Sequence, residues 1–313
     1  MNIAIILPAF NEEVTIQSTI SAFHQAIPEA SIYVVNNNST DRTGELAAAL
    51  LSEIHNTGYV IVEQKQGKGN AVKTAFSHIN ADIYVLVDAD LTYPAYQVRE
   101  LIAALLKHKA DMVVGNRQAN GNYKSENKRS FHVFGNQLVN YLVNRIFSAK
   151  LLDIMSGYRV FSNRFVKNYP ILVEGFEIET DITLHALHHQ FKIVEVDIEY
   201  KDRPEGSQSK LNTFSDGFRI IFTVLQIFRF YKPFMFFGYL ALFFAMTSLC
   251  IGYIPIKEFI DTHYITKIPL VILASGLGIL SVVLLGIGLM LDALRRQEDM
   301  QYQLHLLNWT QRK

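Results

Sequence analysis

The chain has 313 residues, 29 basic and 29 acidic side chains, a formal net charge of zero and a 50% hydrophobic content. That balance gives no global pull toward nucleic acid or an acidic partner, and the length suits one large domain plus something smaller. The single cysteine, Cys250, excludes an internal disulfide or a thiolate metal cluster. It sits in an apolar run and is expected to pack against protein or lipid, and a cytosolic soluble part is expected.

The opening MNIAIILPAF turns polar at Asn11, Glu12 and Glu13, too soon for a secretory signal, and reads as a first strand. Short runs rich in β-branched or aromatic residues predict strands at Ile3–Leu7, Ile32–Val35, Tyr59–Val62, Ile83–Val87 and Met112–Val114. Helices are expected between them at Glu12–Ala26, Arg42–Leu51, Asn70–His78 and Tyr96–Lys107. This alternation predicts an α/β domain on a mostly parallel sheet with right-handed crossovers. Gln118–Ser130 reads as a mobile loop and Phe131–Phe147 as a helix. DIMSGYRVFS follows, then EGFEIETD opens a helix toward His189, and Lys192–Tyr200 alternates like a half-exposed strand. His185, His188 and His189 lack an H-E-x-x-H pattern and are expected on a solvated helix face.

The last third changes character. Residues 211–232 repeat Phe and Ile at helical spacing and read as an interfacial amphipathic helix; a plain core helix is the alternative. Phe234–Ile254 and Ile268–Leu291 contain no charge, and each is long enough to cross a bilayer core of roughly 30 Å. Arg219, Arg229 and Lys232 before them, and Arg295 and Arg296 after, favour a cytoplasmic catalytic domain and tail. The expected organisation is a catalytic domain over 1–210, an interfacial region over 211–232, two spans within 233–292 and a cytoplasmic tail over 293–313.

The polar motifs fall where strands end, which is where ligands bind in such sheets. They are PAFNEE, NNNSTDRT, KQGKGNA, DAD and GNR. Residues two apart in an extended chain share a face, so Asp88 and Asp90 are expected to converge. Two carboxylates that close call for a hard divalent cation. QGKGN offers backbone amides and Lys68 to an anion, although it lacks the Walker spacing and also suits a simple turn. Asn36, Asn37 and Asp41 suit either a nucleotide or a helix cap.

The ordered set PAFNEE, NNNSTDRT, GKGNA, DAD, SGYRVFS and RPEGSQSK resembles family 2 glycosyltransferases of GT-A fold, over nearly all of residues 1–232. More narrowly it resembles polyprenyl-phosphate glycosyl synthases of the dolichyl-phosphate mannose or glucose type, in a membrane-anchored bacterial subgroup. The resemblance implies a UDP-sugar donor, Mg²⁺ or Mn²⁺, an undecaprenyl phosphate acceptor, and residence in a bacterial inner membrane. On the nucleotide-sugar side it places Pro8, Ala9, Asn11, Glu12, Asn36, Asn37, Asp41, Lys68, Asp88, Ala89 and Asp90, with Asp88 and Asp90 on the metal. It places Arg117, Arg129, Arg203, Ser207 and Lys210 at the acceptor phosphate, and Asp153, Glu177 and Glu179 near the sugar. The family often has aspartates at Asn36 and Asn37, and the mannose synthases often have glutamine where Thr92 stands. The function expected is metal-dependent inverting transfer of a hexose or N-acetylhexosamine for envelope glycan modification. Transfer to another lipid and a non-enzymatic nucleotide-binding transport or scaffold subunit are the alternatives, and a homo-oligomer stays open.

Overall fold

The computed structural model describes residues 1–118, 130–171, 173–175, 177–201 and 225–311, with the backbone alone at 130–136 and 310–311. The chain divides into two units, Met1–Phe218 and Arg219–Lys313.

In the first unit, seven strands form one sheet: β1 (Ile3–Ala9), β2 (Ser31–Asn36), β3 (Val60–Val62), β4 (Ile83–Leu86), β5 (Met112–Asn116), β6 (Arg159–Ser162) and β7 (Ile193–Asp197). Their order is β3-β2-β1-β4-β6-β5-β7. β6 runs antiparallel between β4 and β5, and every other pair is parallel. β1 to β5 therefore end on one edge of the sheet, and β6 begins there.

The helices are α1 (Ile16–Ala26), α2 (Thr43–Glu53), α3 (Lys68–His78), α4 (Val98–His108), α5 (Ser130–Phe147), α6 (Asn163–Lys167) and α7 (Ile178–His188). α1 turns Ile16, Ile20 and Phe23 inward at helical spacing. They join Ile5, Leu7, Val85 and Leu101 in one buried cluster, each worth roughly 1.5–3 kcal/mol relative to exposure. α1 ends ahead of Pro28, which disfavours helix in the residue before it. Phe76 of α3 packs on Tyr84 and Phe161, so β4 and β6 are buried on that side too.

The expected strands and helices of residues 1–116 are present within a few residues. β6 and α6 lie outside the elements expected from the sequence. Ser162 caps α6 by accepting from the Phe165 amide at 3.1 Å.

In the second unit, α8 (Pro233–Thr262) and α9 (Ile268–Gln311) are long and apolar enough to cross a membrane. Ser248 donates to the Ala274 carbonyl at 2.7 Å and Ser281 to the Ala241 carbonyl at 2.8 Å, tying α8 to α9. Cys250 is exposed on α8, as a lipid-facing residue is. The tail expected from residue 293 is helical to Gln311, as the continuation of α9. Of the expected interfacial region, 211–224 lies outside the described residues and 225–231 is helical.

Candidate active site

β4 makes its last pair with β1 at Ile6–Leu86. Asp88 and Asp90 lie beyond it, and Leu91 adopts a left-handed φ of 62°. The alternation of an extended strand thus does not reach the two aspartates, and local bonds set their directions. Thr92 donates to Asp90 Oδ1 through its hydroxyl at 2.6 Å and its amide at 3.2 Å. Behind the loop, the hydroxyls of Thr15 and Thr19 lie 2.8 and 3.1 Å from the Ala89 carbonyl. Both threonines are buried, Thr15 at the N-cap of α1 and Thr19 one helical turn into it.

Asp88 meets the Lys68 ammonium through Oδ1, and the same ammonium bonds Glu179 Oε1. Burial by itself would lower Lys68; the carboxylates of Asp88 and Glu179 outweigh it and hold the ammonium above its ordinary value. Gly157 borders the other Asp88 oxygen, where a Cβ would lie 2.7 Å from Oδ2. Among the described residues Asp88 Oδ2 accepts no hydrogen bond, and 28% of the side chain is exposed. An aspartate with one open oxygen, two residues from a second carboxylate, supplies the oxygen ligands that a hard divalent cation takes.

The loop before α3 departs from the expected anion cradle. The Gly67 amide donates to Asn37 Oδ1 at 2.7 Å, the Gly69 amide to the Gly175 carbonyl at 3.2 Å, and the Asn70 amide to the Glu174 carbonyl at 3.3 Å. Protein acceptors thus occupy the start of α3. The two glycines permit this approach: a Cβ at Gly67 or Gly69 would lie 2.2 Å from the carbonyl oxygens of Glu174 or Val173, and Gly67 has φ 135°.

Asn37 is buried, and its amide donates to the carbonyls of Glu63 and Lys65 at 3.3 and 2.8 Å. Both its amide hydrogens serve this loop and not a base edge. Asn36 accepts from the Ser39 amide at 3.1 Å. Asp41 accepts from the Thr43 amide and hydroxyl at 3.0 and 2.5 Å and from the Glu13 amide at 3.1 Å. Burial pushes its carboxyl up, but these bonds outweigh it and leave Asp41 below the usual carboxylate range. Asn11, at φ 54°, accepts from the Thr40 amide at 2.8 Å, and the Glu12 amide donates to Thr43 Oγ1 at 2.8 Å. PAFNEE and NNNSTDRT are therefore fastened into one rim beside Pro8 and Ala9, which end β1.

Arg117 follows β5. It grips Asp153 with Nε at 2.7 Å and Nη2 at 2.9 Å, and its amide adds a third bond at 3.1 Å. Asp153 is buried with both oxygens on Arg117, so it orients that arginine, and its expected contact with sugar is corrected. Arg117 also lies over the Tyr200 ring at 5.6 Å. The buried Tyr93 hydroxyl accepts from the Gly157 amide at 2.9 Å and lies 3.5 Å from Arg117 Nη1. Burial pushes its phenol above the ordinary value.

The acidic start of α7 divides. Glu179 turns inward to Lys68, Asp181 accepts from the Tyr169 hydroxyl at 2.5 Å, and Glu177 is exposed at the N-cap. Arg159 is fully buried and donates to the Ser156 carbonyl at 2.8 Å, to Thr183 Oγ1 at 2.9 Å and to the Ile154 carbonyl. It thereby ties SGYR to α7. His185 is buried against Tyr169 and Phe191, which corrects the expected solvated histidine face. Arg129, Arg203, Ser207 and Lys210 lie outside the described residues.

Tyr93, Gly157, Arg159 and the Thr15–Thr19 pair are the supports that motif reading missed. The visible signals among them were SGYR itself, which holds Gly157 and Arg159, and the four-residue spacing of the threonines.

The chain is similar to known proteins. Glycosyltransferase AglJ of Haloferax volcanii is 29% identical over 251 residues, covering 80% of this chain and 79% of that protein. The undecaprenyl-phosphate mannosyltransferase of Micrococcus luteus is 27% identical over 231 residues, covering 68% and 88%. Glucosyl-3-phosphoglycerate synthase from Mycobacterium tuberculosis, crystallised with Mn²⁺, UDP and phosphoglyceric acid, shares the fold. Its TM-score is 0.58 at 21% identity, over 72% of this chain and 78% of that one. The sequence model of glycosyl transferase family 2 matches residues 4–169, from β1 through β6 and every strand end that carries the DAD, GKG and SGYR residues. The chain belongs to glycosyltransferase family 2, and it is a sugar-transferring enzyme.

Proposed function

We propose that the protein moves a hexose or N-acetylhexosamine from a UDP-sugar to undecaprenyl phosphate at the cytoplasmic leaflet of a bacterial inner membrane. The carrying observation is the carboxylate pair beyond β4, with Asp88 bonded to Lys68 and open at its second oxygen. Two apolar helices on the same chain support a lipid acceptor, as does the relative named for undecaprenyl phosphate.

In this reading Asp88 and Asp90 hold Mg²⁺ or Mn²⁺, which supplies charge stabilisation to the departing diphosphate when bound. Lys68 adds a fixed positive charge beside Asp88. The rim of Asn11, Glu12, Asn36, Asn37 and Asp41 shapes the nucleotide side. Arg117, oriented by Asp153 and Tyr93, meets the acceptor phosphate with Arg129, Arg203, Ser207 and Lys210. A lipid phosphate is already an anionic nucleophile, so direct displacement needs no general base and inverts the anomeric centre. Glu177 and Glu179 stand on the sugar side, Glu179 through Lys68.

The test incubates membranes holding the full-length protein with labelled UDP- and GDP-sugars in turn, adding undecaprenyl phosphate or diacylglycerol. The expected product is a lipid-linked sugar phosphate formed from a UDP-sugar. Product on the neutral lipid alone, or turnover undiminished by a chelator, overturns the proposal.

A further inference from the structure

Lys68, Asp88 and Glu179 come from the start of α3, the loop after β4 and the first turn of α7. The Lys68 and Glu179 side chains are each 9% exposed, so the ammonium is held between two carboxylates and away from bulk water. With the amides of Gly67, Gly69 and Asn70 committed to protein acceptors, the Lys68 ammonium is the charged group this loop offers to an anion.

We propose that Lys68 is an internal counter-ion that disfavours a divalent cation on Asp88 until a diphosphate arrives with it, so that the enzyme takes its donor as a metal–nucleotide complex. The inference rests on the proposed function for the cation on Asp88 and for the donor's diphosphate. A cation bound to Asp88 lies within a few ångströms of the ammonium already on that carboxylate. At a site with little water, two neighbouring positive charges repel strongly. Lys68 has no exposed route of retreat, because Glu179 anchors it from the other side. A diphosphate removes the conflict by giving both cations a shared anion and the metal further oxygen ligands. Glu179 is then a positioning residue that draws part of the ammonium's charge away from Asp88.

By linkage, a cation that binds poorly alone and well with nucleotide must raise nucleotide affinity by the same factor. The experiment uses full-length protein in detergent, with Mn²⁺ binding read by electron paramagnetic resonance and UDP binding by calorimetry. Wild type is expected to bind Mn²⁺ weakly alone and more tightly with UDP. Lys68→Met should tighten Mn²⁺ alone about tenfold and weaken UDP with Mn²⁺ by a similar factor. Glu179→Gln should weaken Mn²⁺ alone and tighten UDP, with the Mn²⁺ effect vanishing in the Lys68→Met background, as coupling through Lys68 requires.

Lys68→Met that weakens Mn²⁺ or leaves it unchanged overturns the inference. So does a Glu179→Gln effect that persists in full without Lys68. If Lys68→Met does not fold, Glu179→Gln decides: weaker Mn²⁺ with tighter UDP supports the counter-ion, and any other pattern removes it. Wild type that binds no UDP in Mn²⁺ takes down the donor reading itself, a result distinct from UDP binding with the wrong mutant response.

Discussion

A methyl group at position 157 would stand 2.7 Å from Asp88 Oδ2, the oxygen that carries no hydrogen bond among the described residues. Gly157→Ala must therefore push the Asp88 carboxylate aside, while the surrounding backbone keeps its bonds. We expect at least about a tenfold loss of turnover, as a misplaced catalytic group produces, with a melting temperature close to wild type; unchanged turnover refutes the crowding argument. Arg117 behaves differently because its partner is buried. Arg117→Ala leaves the Asp153 carboxylate, 2% exposed, without its cation. Breaking such a pair costs about 3–5 kcal/mol, measurable by denaturant unfolding. Arg117→Ala with Asp153→Asn should recover part of that loss while activity stays low.

At the scale of elements, α7 carries the Lys68 partner Glu179 on one turn and a pH-sensitive core on the next. Burial, helped by His189 and His188, pushes the His185 imidazole from 6.5 down to about 3. Its folded value lies below its unfolded one, so the unfolded chain takes up the proton first as pH falls. The stability His185 contributes is whole above about pH 6.5 and is lost progressively toward pH 3. Burial raises the neighbouring Asp181, which acts in the opposite sense from its ordinary 3.8 upward. The measurement is therefore the difference between wild type and His185→Phe, which should narrow as pH drops from 7 to 4; a constant difference sinks the assignment. This core was hidden in the sequence, where three histidines in five residues resemble a wet surface. The parallel strands and their polar ends were legible because each strand is a buried apolar run closed by small or charged residues. β6 was not, since Arg159 opens it and Ser162 closes it around two apolar residues, and its direction depends on β4 and β5 flanking it. The carboxylates Asp88 and Asp90 were legible as a motif. Their separate partners, Lys68 and Thr92, were not, because a tertiary contact and a local turn replaced the strand alternation that reading assumed.

For the whole molecule, two apolar helices joined near residues 263–267 return the chain to the side it left, if both cross. α9 has 44 residues, about 66 Å at 1.5 Å per residue, twice the roughly 30 Å of a bilayer core. The apolar part of α9 ends before Asp292, Arg295 and Arg296, so the surplus length belongs beyond the membrane on the side of those charges. Arginines there and ahead of α8 predict that this side is the cytoplasm. Cysteine labelling checks the arrangement directly once Cys250, exposed on α8, is replaced by serine. In that background Tyr264→Cys should react with a membrane-impermeant maleimide in cells whose inner membrane is intact. Gln303→Cys should react only after that membrane is opened. The reverse pattern inverts the topology, and equal labelling of both sites in intact cells removes the second crossing.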